Sequence, residues 1–228
     1  MDIIAHRGAA RDAPENTLAA VNLAWQQKAD AVEVDVQLSK DGKLMVIHDH
    51  NTRRTGQVNR RIGDQTLAEL RSLDVGRWRL FVELKCGPDG ISEFVRIARS
   101  VAKRPPAMVA IGFSRPLMKQ VKAQMPGLEV CWITRFRRNW NTGRRSRAVE
   151  ELIAAARETG LDGVDLDASG PVNAALVNQL KAAGLKVYVW TVDSPAKARK
   201  LVAAGVDGIT TNRPGWLREK LAHARRTG

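Results

Sequence analysis

A-V-E-V-D-V-Q-L-S-K-D-G-K-L-M-V-I-H-D, residues Ala31 to Asp49, is the stretch whose reading decides the fold. From Ala31 to Val36, apolar residues alternate with two acids, Glu33 and Asp35. A period of two puts both carboxylates on one strand face and the valines on the other. Lys40-Asp41-Gly42-Lys43 reads as a hairpin turn, because Asp-Gly suits positive φ. Leu44 to Ile47 then returns as a second strand and delivers His48 and Asp49 at its end. Acids on one strand face also suit plain solvent-facing positions, so the hairpin alone leaves two readings open.

Outward from it, strands and helices alternate. Asp2 to His6 reads as a strand, and Asn16 to Gln27 as a helix with Asn16 or Thr17 as its N-cap. Residues 51–79 are polar and rich in turns, with one helix candidate at Thr66 to Ser72. Leu80 to Lys85 is a strand with Glu83 and Lys85 on the same side. The remaining strands are Met108–Gly112, Leu128–Ile133, Gly163–Leu166, Val187–Thr191 and Val206–Thr210. Between and after them lie helices at Ile91–Val101, Pro116–Gln124, Arg147–Thr159, Asn173–Ala183, Pro195–Ala204 and Gly215–Ala224.

Without the hairpin return, the chain has eight strands in 228 residues. Eight βα units in about this length predict an α/β fold, a closed (β/α)8 TIM barrel, usually near about 250 residues. A doubly wound sheet is the competitor, but no G-x-G-x-x-G loop follows the first strand. No Pro/Gly/Ser-rich linker divides the chain, so residues 1–228 are expected to form one domain. A small insertion occupies about residues 50–79, after strand two.

Composition narrows the class. At 44% hydrophobic the chain can build one large core, and no apolar run reaches the roughly 20 residues of a membrane span. Cys86 and Cys131 resemble no metal clip, so a reduced, cytoplasmic protein is the expectation. The net charge of +13 raises the question of nucleic acid. Much of the excess lies in one segment, Arg135 to Arg147, which also carries Trp140. Such a loop suits RNA, an anionic membrane surface or a phosphate-bearing substrate; ordinary surface decoration explains it as well.

Catalytic groups of such a barrel sit at the carboxyl ends of its strands. Those ends carry His6 and Arg7, Glu33 and Asp35, Glu83 and Lys85, and Trp190, with His48 on the hairpin return. Glu33, Asp35 and Glu83 are three hard oxygen donors, suited to Mg²⁺ or Ca²⁺. Arg7 and Lys85 beside a cation suggest a phosphate, and two histidines suggest general acid and base for breaking a P–O bond. Trp190 is either core packing or an apolar wall for the organic part of a substrate.

His6-Arg7-Gly8, Pro14-Glu15-Asn16-Thr17, Glu33-x-Asp35-Val36, Asp41-Gly42, His48-Asp49, Arg54-Thr55, Glu83-x-Lys85 and Trp190-Thr191-Val192 together resemble the ordered motifs of the glycerophosphodiester phosphodiesterase family. That resemblance implies a metal-dependent (β/α)8 enzyme that hydrolyses glycerophosphodiesters to sn-glycerol 3-phosphate and an alcohol. It implies Glu33, Asp35 and Glu83 as metal ligands and His6 and His48 as the acid–base pair. Arg7 and Lys85 would contact the phosphate, and a substrate hydroxyl would attack phosphorus before water completes the reaction. Three features depart from the family pattern. Trp78-Arg79-Leu80 runs directly into Phe81-Val82-Glu83, shortening the segment before strand three by about one helical unit. Asn212 stands where the family commonly has Asp. The Arg135–Arg147 loop is unusually basic. Two alternatives accompany the main reading: a lysophospholipid-directed phosphodiesterase resting on an anionic membrane, and a nucleic-acid-binding barrel using the arginine loop. The second has no use for three metal-type carboxylates.

Overall fold

The fold is taken from a computed structural model that describes residues 1–56, 59–66, 79–101, 108–138, 145–146 and 148–223. β1 (Asp2–His6) leads through α1 (Leu18–Gln26) to β2 (Ala31–Leu38) and its antiparallel return β3 (Leu44–Val46). A single turn, α2 (Arg53–Gly56), and a 3-10 turn at Ile62–Asp64 precede β4 (Arg79–Leu84). Then come α3 (Asp89–Val101), β5 (Met108–Gly112), α4 (Arg115–Gln124) and β6 (Glu129–Thr134). Two short antiparallel strands follow, β7 (Arg137–Arg138) and β8 (Arg145–Ser146). The last run is α5 (Val149–Thr159), β9 (Gly163–Asp167), α6 (Ala174–Ala182), β10 (Lys186–Trp190), α7 (Pro195–Ala204), β11 (Gly208–Thr211) and α8 (Pro214–His223).

Parallel pairing runs β1-β2-β4-β5-β6-β9-β10-β11 and returns from β11 to β1, closing an eight-stranded barrel with β3 outside on β2. Strand alternation sorts the side chains into two layers. Val32, Val34, Val82, Ala110, Val130, Val164, Val187 and Ile209 point outward into the core shared with the helices. Ile4, Ala31, Phe81, Val109, Cys131, Ile133 and Tyr188 fill the barrel, with Phe81 and Tyr188 edge to face at 4.9 Å. Glu33 and Asp35 belong to the inner series at 3% and 1% exposure, which excludes the solvent-facing reading of this strand.

The amino-terminal rim is closed by a repeated device. Asp30, Asp162 and Asp207 each precede a strand, and each carboxylate accepts from a backbone N–H of a neighbouring strand, of Ile3, Val130 and Val187 respectively, at 2.8 Å. This end of the barrel is built for stability.

Differences from the sequence reading are local. α1 begins at Leu18 with Thr17 as the N-cap, its hydroxyl accepting from Ala20 N, while Asn16 is used elsewhere. The basic loop holds the β7–β8 pair, which alternation could not reveal in two-residue strands. Both cysteines are free. Residues 67–72 of the helix candidate, Trp78 at the shortened segment, and Trp140, Arg144 and Arg147 of the basic loop lie outside the described residues. Among the described residues no helix is long and apolar enough to cross a membrane.

Candidate active site

β1 ends in a tight turn in which Arg7 has φ 52° and Gly8 φ 80°. A Cβ on Gly8 would lie 2.6 Å from the backbone carbon of Ala20, so this position requires glycine. The turn brings Arg7 N onto Glu33 Oε2 at 2.8 Å. One oxygen from each of Glu33, Asp35 and Glu83 lies within 4.8 Å of the others. Neighbouring strand ends thus gather the three acids that the sequence singled out.

Cations crowd this cluster. Lys85 Nζ is 3.0 Å from Asp35 Oδ1 and 3.7 Å from Glu83 Oε1, and Arg7 Nε is 3.2 Å from Asp35 Oδ2. Proximity is not alignment, however. Asp35 Oδ1 and Arg7 Nε are buried without a hydrogen bond despite these approaches. Burial, then Asp35 and Glu83, pushes the Glu33 carboxyl well above its usual range. Burial also lifts Glu83 to about 7, against the pull of Lys85. For Asp35 burial acts upward too, but Lys85, the Asn16 amide and Arg7 outweigh it and hold the group low. Two buried hard donors and a half-buried third, with perturbed carboxyls and an orphaned oxygen, suit a divalent cation, which would relieve their repulsion.

The imidazoles have different partners. His6 Nδ1 lies 2.8 Å from Asn212 Oδ1, and the Asn212 amide donates to Asp193 Oδ2 at 2.7 Å. With the amide so oriented, His6 Nδ1 carries the proton and Nε2 is a bare acceptor. Burial holds the His6 pKa below 6.5, although the Asn212 bond acts against it. His48 Nδ1 instead meets the Asp49 carboxylate at 2.7 Å. Asp49 and Glu15 both accept from Arg54, and Glu15 also from Arg7, so one ionic chain joins the His48 loop to the β1 turn.

Several supporting groups surround these residues; Gln37 and Asp165 among them lie outside the quoted motifs. Asn16 donates to Asp35 Oδ2 at 2.9 Å and accepts from Asp35 N at 3.2 Å. Gln37, next on the inward face after Glu33 and Asp35, donates to the carbonyls of Ile47, His48 and Asp49 and meets His50 Nδ1. The period-two pattern contains it. Asp165, in the Val-Asp-Leu-Asp segment of β9, is 2% exposed, and its Oδ1 has no hydrogen-bond partner among the described residues. Burial, with Glu83 adding, raises its carboxyl well above the usual range. Trp190 closes β10 and donates through Nε1 to Asp165 O at 3.2 Å.

The sequence matches the Glycerophosphoryl diester phosphodiesterase family over residues 6–89 and 119–216. YhdW of Bacillus subtilis is 32% identical over 244 residues, covering 95% of this chain and 96% of that protein. The glycerophosphodiester phosphodiesterase of Caldanaerobacter subterraneus subsp. tengcongensis is 29% identical, covering 94% and 95%. Among solved structures, an Oleispira antarctica phosphodiesterase in complex with the product sn-glycerol-3-phosphate superposes with a TM-score of 0.83 at 25% identity, covering 97% of each chain.

Proposed function

The chain belongs to the glycerophosphoryl diester phosphodiesterase family, and on that premise we propose that it hydrolyses glycerophosphodiesters to sn-glycerol 3-phosphate and an alcohol. Glu33, Asp35 and Glu83 hold a divalent cation, Mg²⁺ or Ca²⁺. The observation that carries this reading is the 4.8 Å carboxylate cluster ringed by two cations and two imidazoles. A bound cation supplies Lewis-acid polarisation of a phosphoryl oxygen.

The protein's own groups do the rest. Arg7 and Lys85, which lean on Asp35 and Glu83, turn their donors to the phosphate oxygens as the substrate enters. His6 faces the cavity with a bare Nε2 and takes the proton of the attacking hydroxyl, from the substrate or from water. Asp49 holds His48 through Nδ1, and His48 gives a proton from Nε2 to the departing alcohol. Asn16 and Gln37 hold Asp35 and the His48 loop in register. Trp190 walls the organic part of the substrate.

The test is product analysis by phosphorus NMR with glycerophosphocholine, glycerophosphoethanolamine and lysophosphatidylcholine, with and without EDTA. Glycerol 3-phosphate should appear from the water-soluble diesters, stop appearing with EDTA, and fall by roughly 10²–10⁴-fold in His48→Ala. Turnover indifferent to EDTA would remove the cation from the account. Strong preference for the lysophospholipid would move the substrate class to membrane lipids.

A further inference from the structure

Phe113 follows β5 directly and is 46% exposed, an aromatic ring left open at the barrel mouth. Its ring meets that of Trp190 edge to face, centroids 5.8 Å apart. Arg135, the residue after β6, covers both: its Cζ is 5.4 Å from the centre of Phe113 and 5.3 Å from that of Trp190. Each ring is tied at its base. Trp132 Nε1 donates to Phe113 O at 3.1 Å, and Trp190 Nε1 to Asp165 O at 3.2 Å.

Register relates this group to the cluster of acids. Glu83 pairs with Ile111, the last pair of that ladder; two residues beyond it on their respective strands come Lys85 and Phe113, both at the same end of the barrel. The aromatic wall therefore starts at a proposed phosphate-binding cation and runs away from the carboxylates toward β10. A diester with its phosphorus at Lys85 would have room to lay one substituent toward these rings.

The wall already carries a cation. An aromatic surface with its faces open attracts a quaternary ammonium. Here a guanidinium occupies the rings, and a second cation would meet repulsion. A guanidinium lying over aromatic rings still has N–H donors to offer an anion. Among the described residues no carboxylate pairs with Arg135. Asp167, level with Trp190, has its carboxylate engaged by Ser169 N at 2.8 Å and Ser169 Oγ at 2.7 Å. Just beyond Arg135, three of the four residues of β7 and β8 are arginines, and the whole chain carries +13.

We infer that Arg135, held on Phe113 and Trp190, is a specificity determinant that selects diesters whose alcohol carries a second anionic group over those carrying a quaternary ammonium. This rests on the phosphodiesterase reading above.

The experiment compares kcat/KM for glycerophosphoinositol 4-phosphate, glycerophosphoserine and glycerophosphocholine in the wild type, Arg135→Gln and Arg135→Lys. The first two substrates separate phosphate from carboxylate as the favoured anion. Ratios between substrates are taken within one variant, so any loss of folded protein cancels. In the wild type at least one anionic ester should exceed the choline ester by about tenfold or more. That ratio should collapse toward unity in Arg135→Gln and survive in part in Arg135→Lys. Equal or better use of the choline ester, or a ratio unchanged in Arg135→Gln, overturns the inference while leaving the phosphodiesterase reading standing. No turnover of any diester brings down that reading, and this inference with it.

Discussion

Asn212 accepts from His6 Nδ1 at 2.8 Å while its own amide donates to Asp193 Oδ2 at 2.7 Å. A neutral amide thus stands where a carboxylate would favour the imidazolium. Burial keeps the His6 pKa below 6.5, so His6 stays a neutral base until the pH drops beneath that value. The acid limb of the kcat/KM profile therefore lies below about 6.5. Asn212→Asp places an anion on Nδ1, favours the protonated ring, and should move that limb upward by about one unit or more. A limb that stays in place would remove His6 as the base.

Glu83 links the site to stability. Its carboxyl rises from 4.5 to about 7 on folding without a cation, chiefly through burial. The folded state then binds more protons than the unfolded state between those values, so stability falls as pH rises from about 4.5 to about 7. Thermal melts in EDTA should show this decline. Glu83→Gln should make it shallower, Glu33 and Asp165 still acting in the same direction, and added Mg²⁺ or Ca²⁺ should oppose it. Melts that rise across the same window would contradict the electrostatics described.

Gln37 splints the loop that carries His48, with its amide 2.8 Å from His48 O and 2.5 Å from Asp49 O. Gln37→Leu keeps the volume but frees the loop. It should lower kcat by about 10²-fold through misplacement of the acid while leaving cation affinity within about twofold. Steady-state kinetics beside cation titration checks both; equal losses in the two would mean that the whole site had collapsed.

Gly8→Ala meets backbone, not a movable side chain, and φ at 80° is adverse for any Cβ. A loss of about 2 kcal/mol or more is expected in denaturant titration. An unchanged midpoint would show that the β1 turn relaxes freely.

Much of this was legible because it is local. Alternation over Ala31–Val36 and the Asp41-Gly42 turn need no distant partner, and Gly42 takes φ 72° as that turn requires. Whether Glu33 and Asp35 faced solvent or cavity was not local: only barrel closure, β11 returning to β1, buries them. Asn16 invited a helix-cap reading because its type suits one, yet a positive φ turns its amide onto Asp35. Asp165 follows the same inward alternation as Glu33, but its segment is too short to announce a site. Phe113, Arg135 and Trp190 come from three separate strand ends, and no sequence period joins them.

The most direct measurement is calorimetric titration of Mg²⁺ and Ca²⁺ into metal-free wild type, Glu33→Gln, Asp35→Asn and Glu83→Gln. One cation site should appear in the wild type, with affinity reduced about tenfold or more in every variant. Absence of binding to the wild type, or affinities unchanged across the three variants, would contradict a cation held by these carboxylates.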